Sequence, residues 1–304
     1  VLAGSPGSLQ NSTMSNLRLL DRITKEYRKC LRDPDYFECK QLRAISEESK
    51  RPGVMDFKRE VPLLTSMGIY STWRGMVGSV KIADGDPSGW GDIRMAFLYR
   101  AWDVRTKIAS GDRAGKIRDF SLNYGIAGTH GLAIVLGDQA YANWIGERVL
   151  RSFKTKERAF TNDLDAPPFA PFLFQLHSLW QGEKFDLSRY RGCGLGPYAD
   201  IVKHWHSTDA DAFRNALQTA CDARADNSPL GETCIVPTTQ VPVEILAVFI
   251  VRKSLGLPTP PFSHPLLETP FAQVPAVVDT PTDPILTAAI NKIREAHPEI
   301  GEPW

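Results

Sequence analysis

A cysteine within a glycine-rich run is the first feature of this sequence that suggests chemistry. Cys193 lies in the run Gly192-Cys193-Gly194-Leu195-Gly196, and His204 and His206 follow eleven and thirteen positions later. A thiol next to a histidine base is a nucleophile. The run matches neither the nucleophile elbow nor the glycine spacings that bind phosphate. The pattern favours turn glycines, with a helical enzyme that uses Cys193 and His204 or His206 as the alternative.

The cysteines and histidines do not have the spacing of a metal site. The cysteines are odd in number and contain no C-x-x-C pair, which favours free thiols in a reducing cytosol. His204 and His206 would share a face on a strand, but they point about 200° apart on a helix. We therefore expect no metal and no cofactor. The five cysteines are Cys30, Cys39, Cys193, Cys221 and Cys234.

Carboxylates cluster in two loop-like segments. The first, Ala83 to Trp90, contains Asp-Gly, Asp-Pro and Ser-Gly pairs that disfavour regular structure. Exposed acids beside an aromatic residue have the composition of a surface that docks a basic protein. The expected partner contacts are Asp84, Asp86, Trp90, Asp92, Asp163 and Asp165.

The elements that position these residues are predicted to be helices. Apolar residues recur every three or four positions from Leu17 onward, and the same pattern returns along most of the chain. Glu244 to Leu255 is apolar nearly all round, which is typical of a central buried helix. Asp283-Pro284 has the residues of a helix start, and Thr208 to Asp211 matches a capping box. We predict an all-α protein of about ten helices, with any strands minor.

Glycine and proline mark the organisation of the chain. Residues 1–13 are rich in Gly and Ser and precede Met14, which is typical of an expression leader. Residues 14–304 are expected to form a single helical domain, with a possible hinge between two halves near residues 163–171. Residues 257–284 contain eight prolines and are predicted to be extended over the body of the protein. Gly125, Gly128 and Gly131 are predicted to let a neighbouring helix approach closely.

Composition excludes several classes of protein. The chain has 304 residues, 42% of them hydrophobic, which is enough for a substantial core. There are 36 basic and 35 acidic residues, a net charge of +1, so the sequence lacks the basic excess of a typical nucleic-acid binder. The longest apolar stretch, Ile245 to Val251, is far shorter than the ~18–20 residues of a membrane span. We expect no direct contact with nucleic acid or membrane.

Three stretches resemble a known family. They are Met14-Ser-Asn-Leu-Arg-Leu-Leu-Asp, Val241-Pro-Val-Glu-Ile-Leu-Ala-Val, and Arg252 through Gly256. Together they make the chain similar, over residues 14–304, to the helical immunity proteins of bacterial polymorphic toxin systems, and in particular to those that neutralise nuclease effectors of type VI secretion systems.

The resemblance implies a cytoplasmic bacterial protein that binds a toxin's nuclease domain and occludes or distorts its active site, without catalytic residues of its own. A strongly acidic surface that mimics DNA is not expected at a net charge of +1, so any acidity must be local. The other hypotheses are the cysteine enzyme described above and a helical scaffold for protein interactions.

Overall fold

The computed structural model describes residues 22–33, 38–113, 124–155, 167–184, 186–189, 193–226, 240–279 and 282–300. In these ranges the chain forms eleven α-helices and no β-strand, which confirms the predicted all-α fold of about ten helices. The expression leader predicted at residues 1–13 lies outside the described residues. The helices are α1 (22–30), α2 (Lys40–Lys50), α3 (Phe57–Ala83), α4 (Gly89–Arg113), α5 (Tyr124–Val135), α6 (Gln139–Thr155), α7 (Phe169–Trp180), α8 (Ala199–Lys203), α9 (Ala210–Asp226), α10 (Val243–Ser254) and α11 (Pro284–Ala296).

Two long helices, α3 and α4, form an antiparallel hairpin that runs through the molecule. They pack closely at the end near their connection, where a Cβ atom on Gly78 would lie 2.6 Å from the carbonyl oxygen of Gly89. Only glycine fits this approach, because any side chain would collide with the facing backbone. The short connection between the helices turns at Gly85, whose φ of +80° favours glycine.

Two hydrophobic cores lie on opposite faces of α4. Phe97 and Val104 point into the larger core, which α4 shares with α5, α6, α7, α9 and α10. Tyr99 and Trp102 point into the smaller core, which α4 shares with α1, α2, α3 and α11. The first helices and the last helix of the chain therefore meet in the smaller core, although they are separated by more than 200 residues in sequence.

The division between the cores follows α4 and does not coincide with the hinge predicted near residues 163–171. Residues 163–166 lie outside the described part of the chain. Helix α7, which begins at Phe169, packs in the larger core together with α5 and α6. The hinge itself stays a prediction.

The starts of α9 and α11 test the capping predictions. Asp283 caps α11 as expected, since its Oδ1 accepts from the backbone N–H groups of Ile285 at 2.8 Å and Leu286 at 3.0 Å. At α9 the prediction is wrong by one residue. The cap is Asp209 rather than Thr208, and its Oδ1 accepts from the N–H groups two and three positions on, both at 3.0 Å. A carboxylate at this position satisfies donors that the helix leaves open.

The proline-rich segment is anchored rather than simply draped over the surface. Within the described residues 257–279 it contains two short 3₁₀ turns, Pro265–Glu268 and Pro270–Ala272, and is otherwise irregular. Leu266 and Phe271 insert into the larger core from these turns. Burial of two large apolar side chains stabilises the segment by roughly 1.5–3 kcal/mol for each residue.

Candidate functional site

The connection between α3 and α4 carries the exposed carboxylates that the sequence predicts as partner contacts. We call residues 84–88 the acidic tip. Asp84 and Asp86 are exposed there, and Asp84 forms an ion pair with Arg28 of α1. Asp86 accepts hydrogen bonds from the backbone N–H of Ser88 at 2.9 Å and from its hydroxyl at 2.8 Å. These bonds, the backbone one first, lower the pKa of the Asp86 carboxyl. The Asp86 carboxylate therefore keeps its negative charge at the surface of the tip, whereas Arg28 balances the charge of Asp84.

Two of the predicted contacts lie in the interior, so the prediction of their exposure is wrong. Trp90 and Asp92 are each only 3% exposed. The reason is that α4 already begins at Gly89, and the helix turns both side chains inward. Trp90 packs in the larger core, while the Asp92 carboxylate pairs with Arg74 and, at 2.8 Å, with the Lys81 ammonium group. Asp163 and Asp165 lie outside the described residues.

The buried Asp92 joins the two helices on either side of the acidic tip. Arg74 and Lys81 both project from α3, whereas Asp92 belongs to the first turn of α4. A carboxylate near a helix N-terminus is favoured by the helix dipole. The two ion pairs and the close approach of Gly78 to Gly89 therefore hold the two helix ends, and the tip between them, in one arrangement.

The residues of the hypothetical cysteine enzyme do not form an accessible catalytic group. Cys193 is 2% exposed and belongs to the larger core. His204 and His206 follow the end of α8 in a turn, with the buried Trp205 between them. The guanidinium of Arg252 lies 5.4 Å from the Trp205 ring centroid and donates to the Trp205 carbonyl. This part of the chain is held by packing around Trp205.

A large open groove of about 930 Å³ lies beside this turn. It is formed by the end of α7, by α8 and by the residues after α10, and its walls are largely apolar. His206 lines the groove, but Cys193 does not. The principal apolar lining residues are Leu179, Trp180, Leu195, Val202, Leu255 and Leu257.

A buried polar cluster in the smaller core was missed by the sequence reasoning. The Nε2 atom of His297 lies 2.7 Å from Glu60 Oε2 and 3.3 Å from Ser110 Oγ, and its Nδ1 lies 3.2 Å from Glu299 Oε1. Ser110 also donates to Glu60. Glu60 and His297 are 237 positions apart, and neither belongs to a motif, so no local signal could have joined them.

This cluster links three segments by hydrogen bonds. Its geometry differs from that of an activated nucleophile. A catalytic serine directs its hydroxyl proton to an imidazole that a carboxylate orients from the far side. Here the Ser110 hydroxyl donates to the Glu60 carboxylate, and the same carboxylate accepts from the imidazole edge. Glu60 and His297 are also buried. The cluster therefore ties α3, α4 and the residues after α11 to one another.

Within the described ranges, no three His, Cys, Asp or Glu side chains are grouped so that they could hold a metal ion. Over the same ranges, no helix combines the length with the apolar character that crossing a membrane requires.

Comparison with known proteins adds no relative. No protein-family model matches the chain, and neither curated proteins nor solved structures give a significant match.

Proposed function

We propose that this protein is a non-enzymatic immunity protein of the bacterial cytoplasm. In this proposal it binds the nuclease effector of a type VI secretion system and blocks or distorts the effector's active site. The observation that carries the proposal is the acidic tip, where Asp84 and Asp86 are exposed at the end of the longest helix hairpin. The resemblance of the sequence to toxin immunity proteins supports the same function.

The chemistry of a nuclease explains why an acidic tip suits it as a partner. A nuclease binds a polyanion, so its substrate cleft is rich in Lys and Arg. Exposed carboxylates complement such a cleft, and they accelerate association by attraction at long range. Because the net charge of the whole chain is only +1, this complementarity is local and does not extend over the whole surface.

The rigidity of the tip favours tight binding. Asp92 with its two cationic partners and the contact of Gly78 with Gly89 fix the backbone on both sides of the tip. A surface that is already ordered loses little conformational entropy when a partner binds. Inhibition at a one-to-one ratio requires such tight binding.

The test measures protection of DNA from candidate nuclease effectors of the source bacterium. Purified protein at an equimolar ratio is expected to protect DNA from one effector. The double variant Asp84→Asn and Asp86→Asn should weaken binding of that effector by about tenfold or more, mainly through slower association at low salt. Asparagine retains the capping geometry of the turn.

A matched control removes two exposed carboxylates elsewhere. Glu147→Gln and Asp200→Asn, on α6 and α8, change the net charge by the same amount. This control variant should protect DNA as well as the unchanged protein. Equal weakening by both double variants would refute the role of the tip, and failure to protect DNA from every candidate effector would refute the immunity function.

A further inference from the structure

A second charged site is formed by residues that belong to no sequence motif. A cavity of about 530 Å³ opens between α4, α6 and the 3₁₀ turn Pro298–Ile300, and we call it the arginine cavity. Three arginines line it, Arg105 on α4 and Arg148 and Arg151 on α6. The remaining lining residues are Ile108, Ala109, Trp144, Glu299 and Ile300.

Arg105 is held in position by aromatic rings. Its guanidinium carbon lies 5.5 Å from the ring centroid of Trp102 and 5.3 Å from that of Trp144. It also donates to the carbonyl of Ile300. Attraction between a guanidinium and an aromatic face is strongest where water is partly excluded. These contacts hold the Arg105 guanidinium in one place at the wall of the cavity.

The α6 arginines lie one helical turn apart, so their side chains leave the same face of the helix. The Arg148 Nη1 donates to Ser152 Oγ at 2.6 Å, which directs this side chain along the helix. Among the described residues that line the cavity, Glu299 supplies the one carboxylate, and its Oε1 lies 3.2 Å from His297 Nδ1. The described lining thus brings three positive charges and one negative charge to a single cavity.

We propose that the arginine cavity binds a small phosphate-bearing molecule, up to about the size of a mononucleotide. Guanidinium groups match the oxygens of a phosphate group with paired, charge-assisted hydrogen bonds. A cavity of 530 Å³ is within the usual range for small-molecule sites. Trp144 adds aromatic surface to the lining of the cavity. This inference is independent of the proposed function, because it involves neither the acidic tip nor a nuclease.

Calorimetric titration at low ionic strength tests the site with three probes: inorganic phosphate, adenosine monophosphate and adenosine. The expected result is binding of phosphate, of the monophosphate, or of both, and binding of either identifies free phosphate or a phosphate ester as the class of ligand. Adenosine, which has no phosphate, should bind at least tenfold more weakly than the probe that binds.

Two variants and a matched control assign the binding to the cavity. Arg148→Gln and Arg151→Gln should each weaken binding about tenfold, equivalent to about 1.4 kcal/mol. Arg43→Gln removes an exposed arginine from α2 and should leave the affinity unchanged. Lack of binding by both phosphate probes, equal binding of adenosine, or equal weakening by Arg43→Gln would each overturn the proposal.

Discussion

The two cores of this protein accommodate buried histidines in opposite ways. In the larger core, His130 and His177 are completely buried, and their ring centroids lie 5.2 Å apart. In the smaller core, His297 is buried between the carboxylates of Glu60 and Glu299. The larger core treats histidine as an aromatic packing residue, whereas the smaller core uses it as a polar link.

Packing explains why the histidines of the larger core remain neutral. His130 stacks on Phe174 with a centroid separation of 5.0 Å, and His177 meets Trp180 edge-on at 6.1 Å. Loss of hydration on burial lowers the pKa of His177 to about 4, and burial, with a smaller electrostatic contribution from the nearby His177 imidazole, places the pKa of His130 well below its usual 6.5. These rings contribute to the core only in the uncharged form.

Connectivity explains why the smaller core needs polar links. Helices α1 to α4 come from the first part of the described chain, whereas α11 comes from its last part. The hydrogen bonds from His297 to Glu60 and from Tyr99 to Asp283, the latter 2.9 Å long, join segments that are 237 and 184 positions apart. Such bonds select one arrangement, because a buried polar group left without a partner costs about 1–3 kcal/mol.

The largest effect is expected from a substitution that removes the polar link of the smaller core. His297→Ala should lower the free energy of unfolding by about 3–5 kcal/mol, because it removes one partner of a buried ionisable pair. Urea unfolding near neutral pH measures this loss. The exposed His206 provides the control, since His206→Ala should change stability by less than about 0.5 kcal/mol.

Replacing both members of the pair sharpens this prediction. The double variant Glu60→Met and His297→Leu should be more stable than His297→Ala alone, because it leaves no buried carboxylate without its imidazole. A double variant that is no more stable than the single one would show that the smaller core depends on packing of His297 and not on the polar link.

The second prediction concerns the loss of stability at acidic pH that arises in the larger core. Between pH 6.5 and about 4 the unfolded chain protonates His177 and the folded chain does not, so the unfolded state binds more protons and stability falls as the pH falls. Over this window His177 should account for a loss of about 3 kcal/mol, at about 1.4 kcal/mol per pH unit. His177→Leu should remove this part of the pH dependence when urea unfolding is repeated across the window.

The same series with His206→Leu is the control, and it should keep the steeper dependence of the unchanged protein. If His177→Leu and His206→Leu have equal pH dependence, His177 is not held neutral by the larger core.

The smallest expected effect tests how tightly the larger core encloses His177. A Cβ atom on Gly146 of α6 would lie 2.5 Å from three atoms of the His177 ring. Gly146→Ala should therefore lower the free energy of unfolding by about 1–2 kcal/mol, since overpacking outweighs the better helix propensity of alanine. Thermal unfolding measures this loss.

Two further variants identify the cause of this loss. Gly194→Ala adds its methyl group to open space and should be close to neutral. Combining Gly146→Ala with His177→Ala should recover the part due to the clash, so that the two substitutions cost less together than the sum of their separate effects.

Much of the fold was predictable because its signals are local. The apolar sequence from Glu244 to Leu255 predicted the buried helix α10, and the Asp283-Pro284 pair predicted the start of α11. The glycines of α5 predicted a close approach, and a Cβ atom on Gly131 would lie 2.9 Å from Val243 of α10. Each of these features depends on residues within one or two helical turns.

The candidate sites were predicted only in part. Asp84 and Asp86 are exposed as expected, because their turn chemistry keeps them outside the helices. Trp90 and Asp92 are buried because α4 begins one residue before Trp90 and directs both toward its neighbours. A shift of two or three residues in a helix boundary is enough to exchange a surface position for a core position.

By itself the sequence determined the helical class, several helix ends and the exposed acids of the tip, since hydrophobic periodicity and capping act over a few residues. The tertiary structure alone decided which face of α4 enters which core, that α11 joins the N-terminal helices, and that Glu60 reaches His297. It also brought Arg105 on α4 to the same cavity as Arg148 and Arg151 on α6. These outcomes depend on long-range packing, in which the partner of each residue is set by the fold and not by its neighbours in sequence.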